Sequence, residues 1–494
     1  MSTPPGNACN VAAMLSPTGS GQNFDNDYSH IPGKNKSSSE KINISEGQVV
    51  DEPPDGGYGW VCTSAAAVIN GHSWGFNSAY AVFLAYYLDH DTFPNASPLK
   101  YAFVGSLSLA FLLLTSPIAT LSVTKYGIRP TMLCGVVFET ASLLLASLAS
   151  EIWHLFLTQG VLFGIGLGLL FIPTAAVVPQ WFTTKRSLAS GISLSGAGLG
   201  GAVYSLAASA MIRNLGLQWA FRILGVLAFC VNTSCTILIR DRKKATTSKQ
   251  SVFEISLFKR KEYLLLIGFS AFTMLGYFIL IFSLANFAME IGLRPSEAAI
   301  ISALFNFGQA IGRPLIGYFS DGFGRMNMAA LMTFIAGVLS LVVWVNARTY
   351  GVLIFYAISE GLVAGNFWAT IAPLMAEVLG LNQVPSGLNL MWLSMVLPST
   401  FSEPIALQIV SGTGSYLGAQ LFTGFMYITA AFCMTLLRGW KVRFEEPDSP
   451  ATVESRNGDE EKSPRADSGN LHDKPLVKVQ LLAVLLACLR WKKV

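Results

Sequence analysis

The chain has 494 residues, of which 52% are hydrophobic and only 13% are charged, and its mean hydropathy is +0.49. Charged residues make up about 25% of an ordinary soluble domain, so this composition excludes a soluble enzyme, a disordered chain and a disulfide-rich secreted domain. The net charge of +4 is too small to indicate a nucleic-acid partner.

The chain begins with a polar stretch, residues 1–54, whose Ser, Asn, Gly and Pro content is typical of a disordered tail. Apolar windows of about 20 residues, the length that a membrane helix needs, then follow one another. Twelve spans are predicted, at residues 60–86, 100–122, 131–150, 153–178, 188–212, 217–239, 263–286, 298–320, 327–346, 350–374, 386–410 and 415–437. The charged tail at 438–494 is predicted to be largely disordered. Its apolar end, residues 476–494, is too short to span and is either an interfacial helix or a segment without a role.

Lys and Arg are distributed unevenly between the loops on the two sides of the predicted spans. One side holds only Lys100, Arg213, Arg294 and Arg348, and the other side holds most of the basic residues. The positive-inside rule therefore places both termini in the cytoplasm, and we expect the plasma membrane as the location. A basic linker at 240–262 follows the sixth span, which predicts two six-helix bundles, 55–239 and 263–437. Another twelve-helix architecture is the alternative.

Two short basic turns occupy matching places in the two halves, at residues 123–130 and 317–325. Charged turns of this kind can contact the neighbouring bundle in one conformation and release it in another. We therefore predict a cytoplasmic gate, and the alternative is an ordinary polar turn. The predicted gate residues are Lys125, Arg129, Lys185, Arg186, Asp321 and Arg325.

Three further strings carry a family resemblance. They are Asp55-Gly56-Gly57-Tyr58-Gly59-Trp60 before the first span, residues 180–196 at the start of the fifth, and residues 308–314 in the eighth. The turn at 317–325 resembles the loop signature of the major facilitator superfamily. The three strings resemble its monocarboxylate porter family, most closely the fungal branch, over roughly residues 55–437. The resemblance implies an all-α membrane protein with the major facilitator superfamily fold, twelve transmembrane helices in two six-helix bundles.

The resemblance also implies a substrate site. Members of the family commonly place an Arg in span eight that meets the substrate carboxylate, and Arg313 stands at that position. A guanidinium matches a carboxylate with two parallel hydrogen bonds, and within a membrane it must face a cavity or a partner. The alternative is an internal ion pair that locks the bundle. Two departures argue against the proton-coupled lactate mechanism of animal relatives: Ser78 replaces a Lys, and Gln309 replaces an Asp.

Other polar and aromatic residues within spans are also site candidates. Mid-span groups predicted to shape the cavity, with helix packing as the alternative, are Phe305, Asn306, Asn366, Phe367 and Trp368. Ionisable groups inside a membrane are often proton carriers. Those that could serve here are His72, Glu139, Glu360 and Glu403. A structural hydrogen bond is the alternative for each, and Glu360 and Glu403 could also lie in the outer interface.

Taken together, these patterns predict a secondary transporter that moves a small organic acid by alternating access, with protons as the candidate coupling ion in symport. The alternatives are an exporter of a fungal secondary metabolite, a carrier of a vitamin-like acid, and a nutrient sensor that does not transport. The expected partners are the small acid or metabolite and the lipid bilayer; no cofactor, metal, nucleic acid or enzyme activity is expected, and no accessory subunit is identified. Asn95 is a formal glycosylation acceptor in the first outer loop.

Overall fold

The structure, a computed structural model, describes residues 55–89, 93, 98–242, 254–380 and 383–444. The predicted tails at 1–54 and beyond 444, the middle of the basic linker and the glycosylation acceptor Asn95 lie outside these residues. Within the described ranges, every regular element is a helix. The expectation of an all-helical chain with long apolar segments is therefore confirmed for the described residues.

The N-terminal helices are α1 (Tyr58–Ser78), α2 (Tyr80–Asp89), α3 (Pro98–Leu114), α4 (Ser116–Tyr126), α5 (Ile128–Ala146), α6 (Ile152–Leu155), α7 (Phe163–Val177), α8 (Arg186–Leu215) and α9 (Leu217–Leu238). A π-helical turn, Phe156–Leu162, joins α6 to α7, and a 3₁₀ turn, Val178–Trp181, follows α7. The α6–α7 region is therefore one continuous membrane span.

The C-terminal helices are α10 (Lys261–Glu290), α11 (Pro295–Phe323), α12 (Arg325–Val338), α13 (Tyr350–Ala364), α14 (Asn366–Leu379), α15 (Val384–Thr413) and α16 (Leu417–Phe444). A 3₁₀ turn, Ile255–Lys259, precedes α10, and a π-helical turn, Leu339–Trp344, extends α12. The helices α13 and α14 together form one span that is interrupted at Gly365.

Ten stretches of the described chain are long and apolar enough to cross a membrane, and a bent pair makes eleven. The bent pair is Phe103–Leu114 with Ser116–Tyr126, which meet at 42°. Pro117 lies in the first turn of α4 and lacks the N–H that would continue α3, so the chain bends there. The prediction of twelve spans is confirmed for these eleven segments. It stays a prediction for the first, α1–α2, where Asn70 and Asn77 interrupt the apolar sequence.

The helix α8 packs against α1 on one side and against α11 on the other. A Cβ added at Gly200 would come within 1.9 Å of the carbonyl oxygen of Gly71 in α1. A Cβ added at Gly191 would come within 2.3 Å of the carbonyl oxygen of Arg313 in α11. The Gly-rich sequence of α8 therefore lets its backbone touch both neighbours. The boundaries predicted for the two bundles, at 239 and 263, stay predictions.

We call the interface between the N-terminal and the C-terminal helices the seam. It consists mainly of α8 against α11 and α14, and of α3 and α4 against α15. At one end of the molecule, Asp55 contacts the loop just before α8, and the end of α11 contacts the first turn of α8. Arg240 stacks on the Tyr58 ring at the same end. We call it the basic end and the opposite one the far end.

Candidate functional site

A narrow cavity lies in the seam halfway along α8 and α11. Its volume is about 30 Å³, which is room for about two water molecules. Both sets of helices contribute to its wall, so any movement of one set against the other changes its shape. Its polar and aromatic lining includes Trp74, Asn77, Ser78, Tyr277, Asn306, Gln309, Arg313 and Trp368.

Arg313 is the cation of this cavity, with only 5% of its surface exposed. Its Nη1 donates to the carbonyl oxygen of Leu194 at 2.6 Å, across the seam in α8. Its Nη2 donates to Gln309 Oε1 at 2.5 Å and to the Tyr277 hydroxyl at 3.0 Å, and that hydroxyl donates to the same Gln309 oxygen at 2.7 Å. The Nε of Arg313 is buried and has no hydrogen-bond partner among the described residues. Every partner of this guanidinium is therefore a neutral group.

The alternative of an internal ion pair does not fit this geometry. Arg294 pairs with Glu297, and Arg325 pairs with Asp321 and Glu377, whereas Arg313 has no carboxylate partner among the described residues. A positive charge in a membrane interior needs a negative partner or water. Arg313 therefore has no counter-charge among the described residues.

The space that Arg313 occupies depends on a break in the tenth predicted span. Gly365 separates α13 from α14, and a Cβ added there would lie 2.9 Å from Arg313 Nε. Real side chains essentially never show so short a contact. The absence of a side chain at Gly365 therefore lets the guanidinium lie flat between α11 and α14.

The other predicted substrate residues divide into two groups. Ser78 and Asn306 line the cavity, and the Asn306 side chain donates to the Ser302 carbonyl of its own helix at 3.1 Å. Phe305, Asn366 and Phe367 do not line it, because their side chains turn into the C-terminal helices.

The buried contacts of these three residues explain their position. Asn366 donates to Thr333 Oγ1 at 3.0 Å, and the Phe367 ring packs against Phe269 with ring centroids 5.9 Å apart. Phe305 is 2% exposed and belongs to the apolar core. Their alternative interpretation, helix packing, is what the structure shows around them.

An aromatic cluster crosses the seam next to Arg313, and of its members only Trp368 was singled out from the sequence. Trp74 and Phe171 come from α1 and α7, and Trp368 and Trp392 come from α14 and α15. The Trp74 and Trp368 ring centroids are 5.2 Å apart at 62°, and those of Trp368 and Trp392 are 5.8 Å apart at 17°. The cluster separates the central cavity from a second, smaller one of about 20 Å³ towards the basic end. The sequence does contain a signal for this cluster, because its tryptophans lie in the middle of predicted spans rather than at their ends.

The four candidate proton carriers do not line the central cavity. Glu139 accepts hydrogen bonds from Ser73 at 3.1 Å and from Asn232 at 2.8 Å. Glu403 accepts from Ser283, whose hydroxyl lies 3.0 Å from both carboxylate oxygens. These two side chains therefore have the structural hydrogen bonds that were their alternative interpretation.

Glu360 and His72 have different surroundings. Glu360 is fully buried, and neither of its carboxylate oxygens has a partner among the described residues. Burial of Glu360 and of Glu403, at 0% and 4% exposed, argues against an exposed position in the outer interface. His72 is half-buried, contacts the Val68 carbonyl through Nδ1 at 2.9 Å and packs edge-to-face on Tyr204.

The second basic turn joins the two sets of helices at the basic end. Asp321 accepts from the backbone N–H groups of Ser187 at 3.2 Å and Leu188 at 3.0 Å, in the first turn of α8. Arg325 donates to Asp321, to the Ser187 hydroxyl at 3.1 Å and to Glu377 at 2.8 Å. A carboxylate at a helix N-terminus also interacts favourably with the helix dipole. We call this arrangement the Asp321 latch.

The first basic turn forms no equivalent latch in this structure. Arg129 donates to the Ile239 carbonyl at 3.0 Å, and Lys125 lies 5.1 Å from the centre of the Tyr126 ring, both within the N-terminal helices. Arg186 donates to the carbonyl of Phe182 one turn earlier, at 3.1 Å, and Lys185 is exposed.

At the matching place in the seam, neutral groups replace the latch. Asn389 Oδ1 accepts from Ser116 at 2.6 Å and from Thr120 at 2.9 Å. Asn389 and Glu377 are contact residues that sequence reasoning missed. Because both contact sets join the N-terminal to the C-terminal helices, the seam is closed at the basic end.

The motif at 55–60 clamps α1 onto the loop before α8. Asp55 adopts a left-handed backbone conformation, with φ of +49°, that turns its carboxylate towards Thr183 and Thr184. It accepts from their backbone N–H groups, at 2.5 and 3.0 Å, and from both hydroxyls. Partial burial alone would raise the pKa of Asp55, but these hydrogen bonds outweigh it and lower that pKa to about 2. Asp55 is therefore a carboxylate at neutral pH.

The aromatic members of the motif complete the clamp. Tyr58 donates its hydroxyl to the Leu238 carbonyl at 2.7 Å, and Arg240 stacks 4.5 Å above its ring. Trp60 packs edge-on against Phe182 with centroids 4.9 Å apart. A Cβ at Gly59 would lie 2.7 Å from Trp181 Cβ, while Gly56 and Gly57 form the turn before α1. The two strongest motifs of the sequence, at 55–60 and 180–196, are therefore in direct contact.

No group of three His, Cys, Asp or Glu side chains in the described ranges could hold a metal ion. The free thiols there are spread over four helices: Cys62 in α1, Cys134 in α5, Cys230 and Cys235 in α9, and Cys433 in α16. The chemistry that the site offers is thus electrostatic and hydrogen-bonding recognition of a ligand.

The family model of the Major Facilitator Superfamily matches residues 63–293 and 264–491. The chain is 32% identical over 403 residues to a protein of Saccharomyces cerevisiae named probable transporter MCH2. The aligned residues are 80% of this chain and 85% of the relative. It is 28% identical to monocarboxylate transporter 3 of Rattus norvegicus, covering 74% of this chain and 76% of the relative. It is 26% identical to the fujikurins efflux protein of Gibberella fujikuroi, and the alignment covers 77% of this chain and 82% of that relative.

The residues matched by the family model include those that build the cavity and the Asp321 latch. Together with the apolar helices, they establish a multi-pass membrane transporter rather than an enzyme. The chain belongs to the major facilitator superfamily and, within it, to the monocarboxylate porter family.

Proposed function

We propose that this transporter moves a small organic acid across its membrane by alternating access and that Arg313 binds the carboxylate. The observation that carries the proposal is a buried guanidinium in the seam whose described partners are all neutral. An anion is the ligand that removes the electrostatic cost of that charge. The name of the rat relative, a monocarboxylate transporter, supports the same chemistry.

Binding of the acid would act directly on the seam. The Leu194 carbonyl is the partner of Arg313 that belongs to the opposite set of helices, at 2.6 Å. A carboxylate forms stronger hydrogen bonds with a guanidinium than a neutral carbonyl does. An incoming acid that displaces the carbonyl therefore breaks a contact between the two sets and lets them move apart. Tyr277 and Gln309, on the same side as Arg313, keep the guanidinium in place during the exchange.

The structure corresponds to the state in which the basic end is closed. Opening that end requires release of the Asp321 latch and of the contacts made by Asn389. We propose that the basic end faces the cytoplasm of the cell and that the membrane is the plasma membrane, because Lys and Arg concentrate on that side. The predicted gate then consists of Asp321 and Arg325, with Lys125, Arg129, Lys185 and Arg186 as neighbouring charges.

Glu360 is the best of the proposed proton carriers. Its two oxygens lack hydrogen-bond partners among the described residues, whereas Glu139 and Glu403 are held by Ser or Asn side chains. A carboxyl group without donors is more stable in its neutral form inside a low-dielectric interior. Proton uptake at Glu360 would thus accompany one of the two conformations and couple transport to a proton gradient.

The test of the proposal is uptake of labelled organic acids by the full chain reconstituted into liposomes. We expect Arg313→Gln to abolish uptake of every acid that the wild type carries and Arg313→Lys to retain a small part of it. The matched control is Arg222→Gln, since Arg222 contacts Ser147 and the Trp219 ring outside the cavity. Uptake by Arg313→Gln equal to that of the wild type would contradict the proposal.

The same experiment separates the alternatives. Export of a larger metabolite, as the name of the Gibberella fujikuroi relative states for that protein, predicts flux of a bulky acid and none of the small ones. A nutrient sensor predicts charge-dependent binding without any flux. Flux of a bulky acid alone would change the proposed cargo and direction but keep the role of Arg313. Binding without flux would replace the transporter by a sensor.

A further inference from the structure

The wall of the central cavity next to Arg313 is formed by flat aromatic rings. Trp74 and Trp368 face each other across the seam with ring centroids 5.2 Å apart, and Tyr277 lies 6.3 Å from Trp368. Phe278 and Phe282 of α10 complete the lining on the same side. Aromatic rings recognise other rings by offset stacking or edge-to-face contact, with centroids about 4.5–7 Å apart.

The rings lie at a fixed, short distance from the cation. The Tyr277 hydroxyl accepts from Arg313 Nη2 at 3.0 Å, and the centroids of the Tyr277 and Trp368 rings are 6.3 Å apart. One tyrosine side chain thus contacts both the guanidinium and the indole. A ligand with its carboxylate on Arg313 would place atoms one or two bonds further along its chain between Trp74 and Trp368.

The two indoles belong to opposite sets of helices. Trp74 lies in α1 and Trp368 in α14, so any opening of the seam moves them apart and exposes an aromatic face on each. In this closed state the two rings meet edge-to-face at 62°, so a planar ring of a ligand enters between them when the seam opens. Trp74 Nε1 is buried and has no acceptor among the described residues, so it is available to a polar group of the ligand.

A small hydroxy acid such as lactate would use little of this surface. Beyond the Arg313–Gln309–Tyr277 group and the indoles, the polar side chains of the wall are Asn77, Ser78 and Asn306. Asn77 already donates to Ser108 at 3.0 Å, and Asn306 donates to the Ser302 carbonyl at 3.1 Å. The remaining wall is suited to a flat apolar group. The cavity is therefore built for a ligand with one anionic end and one aromatic end.

We propose that the substrates of this site are carboxylic acids that carry an aromatic ring one or two carbons from the carboxylate, held between Arg313 and the Trp74–Trp368 pair. This proposal rests on the proposed function, because it assigns the carboxylate to Arg313. It adds a substrate class, which the position of Arg313 alone does not give.

The experiment measures ligand-induced thermal stabilisation of the purified full chain at neutral pH, where the acids are ionised. Ligands that bind the folded state raise its unfolding temperature by an amount that increases with the ratio of ligand concentration to Kd, so weak binders are detected at high concentration. The probes are phenylacetate, cyclohexylacetate, lactate and phenylacetamide. The first two share charge and nearly share size, so their comparison isolates the aromatic ring, and the amide removes the charge.

We expect phenylacetate to bind about 3- to 10-fold more tightly than cyclohexylacetate, the range that aromatic contacts add beyond buried area. Lactate should bind more weakly than either, and phenylacetamide should not stabilise the protein measurably. Trp368→Leu should abolish the preference for phenylacetate over cyclohexylacetate while keeping the requirement for charge. Trp153→Leu, at an exposed indole on α6, is the matched control and should leave the preference intact.

Each outcome decides one of the two proposals. Equal binding of phenylacetate and cyclohexylacetate by the wild type, or tighter binding of lactate, would overturn the aromatic substrate class and leave Arg313 its role. Equal stabilisation by phenylacetate and phenylacetamide, or none by any acid, would contradict the proposed function itself. If Trp368→Leu does not fold, Trp368→Phe serves instead, and its retained but smaller preference supports the proposal, whereas no change from the wild type opposes it.

Discussion

Neutralisation of Asp321 is the sharpest perturbation of the closed basic end. The Asp321 carboxylate accepts two backbone N–H groups from the first turn of α8, and its side chain is only 12% exposed. Asp321→Asn has nearly the same shape but carries one acceptor oxygen and an NH₂ group. That group would face a backbone donor, so one hydrogen bond is lost and the other is no longer charge-assisted.

The expected magnitude follows from these contacts. A hydrogen bond to a charged group contributes about 1.5–3 kcal/mol and a neutral one about 0.5–1.5 kcal/mol. A charge at a helix N-terminus adds about 0.3–1 kcal/mol. Loss of one charge-assisted bond, reduction of the other to a neutral one and loss of the helix-terminus charge should together weaken the closed state by about 3–5 kcal/mol. This corresponds to an increase of about 150- to 5,000-fold in the ratio of open to closed molecules.

A cysteine reporter in the smaller cavity measures this ratio. Ser190 lines that cavity, is 7% exposed, and its hydroxyl has no partner among the described residues, so Ser190→Cys should be tolerated. With the seven native cysteines replaced, a membrane-impermeant maleimide should label this thiol faster in Asp321→Asn, from the side of the basic end.

The matched control is Glu297→Gln, which neutralises a carboxylate at the opposite end of α11. Glu297 pairs at 2.9 Å with Arg294, whose side chain is 78% exposed, and exposed pairs contribute little. Labelling should therefore stay at the wild-type rate in this variant. An unchanged rate in correctly folded Asp321→Asn would refute the assignment of the latch.

Three further predictions concern the clamp, the proton carrier and the space around the guanidinium. Because hydrogen bonding lowers the pKa of Asp55 to about 2, below the unfolded value of about 3.9, its carboxylate adds stability that is complete above about pH 5 and lost as pH falls towards 2. The unfolding temperatures of wild type and Asp55→Asn should thus differ at pH 7 and converge as the pH falls below 4; a constant difference would contradict this. Glu360→Gln should keep exchange of labelled for unlabelled acid but abolish accumulation driven by a pH gradient, and persistent accumulation would exclude Glu360 as the carrier. Gly365→Ala should displace Arg313 and weaken acid binding by about 1–2 kcal/mol, whereas Gly351→Ala, whose added Cβ meets nothing within 4 Å, should not; equal loss in both would refute the steric argument.

The fold was largely predictable because hydropathy determines where a chain can enter a membrane. The predicted segments at 188–212 and 263–286, for example, lie within α8 and α10. Bends and interruptions within a span were harder to predict from the sequence. The bend before Pro117 was not predicted, although the residue type that causes it is visible in the sequence. Hydropathy identifies a span least clearly where the helix lines the seam, because such a helix carries polar residues, as α1 does.

The site was predictable where the chemistry is unusual and not where it depends on helix rotation. A single Arg within an apolar span is rare enough to stand out, and Arg313 does lie in the cavity. Phe367 and Trp368 are neighbours in sequence, yet Trp368 faces the seam and Phe367 faces the core. The contact of Asn389 with Ser116 joins residues 273 positions apart, and no local pattern indicates it.

Counterflow in liposomes tests the central claim most directly, because it requires binding of the acid and movement of the loaded transporter but no driving ion. Vesicles loaded with unlabelled acid and containing the wild type should transiently accumulate labelled acid, and vesicles with Arg313→Gln should accumulate none. Counterflow by Arg313→Gln at the wild-type rate, or counterflow of the uncharged amide by the wild type, would contradict carboxylate recognition by Arg313.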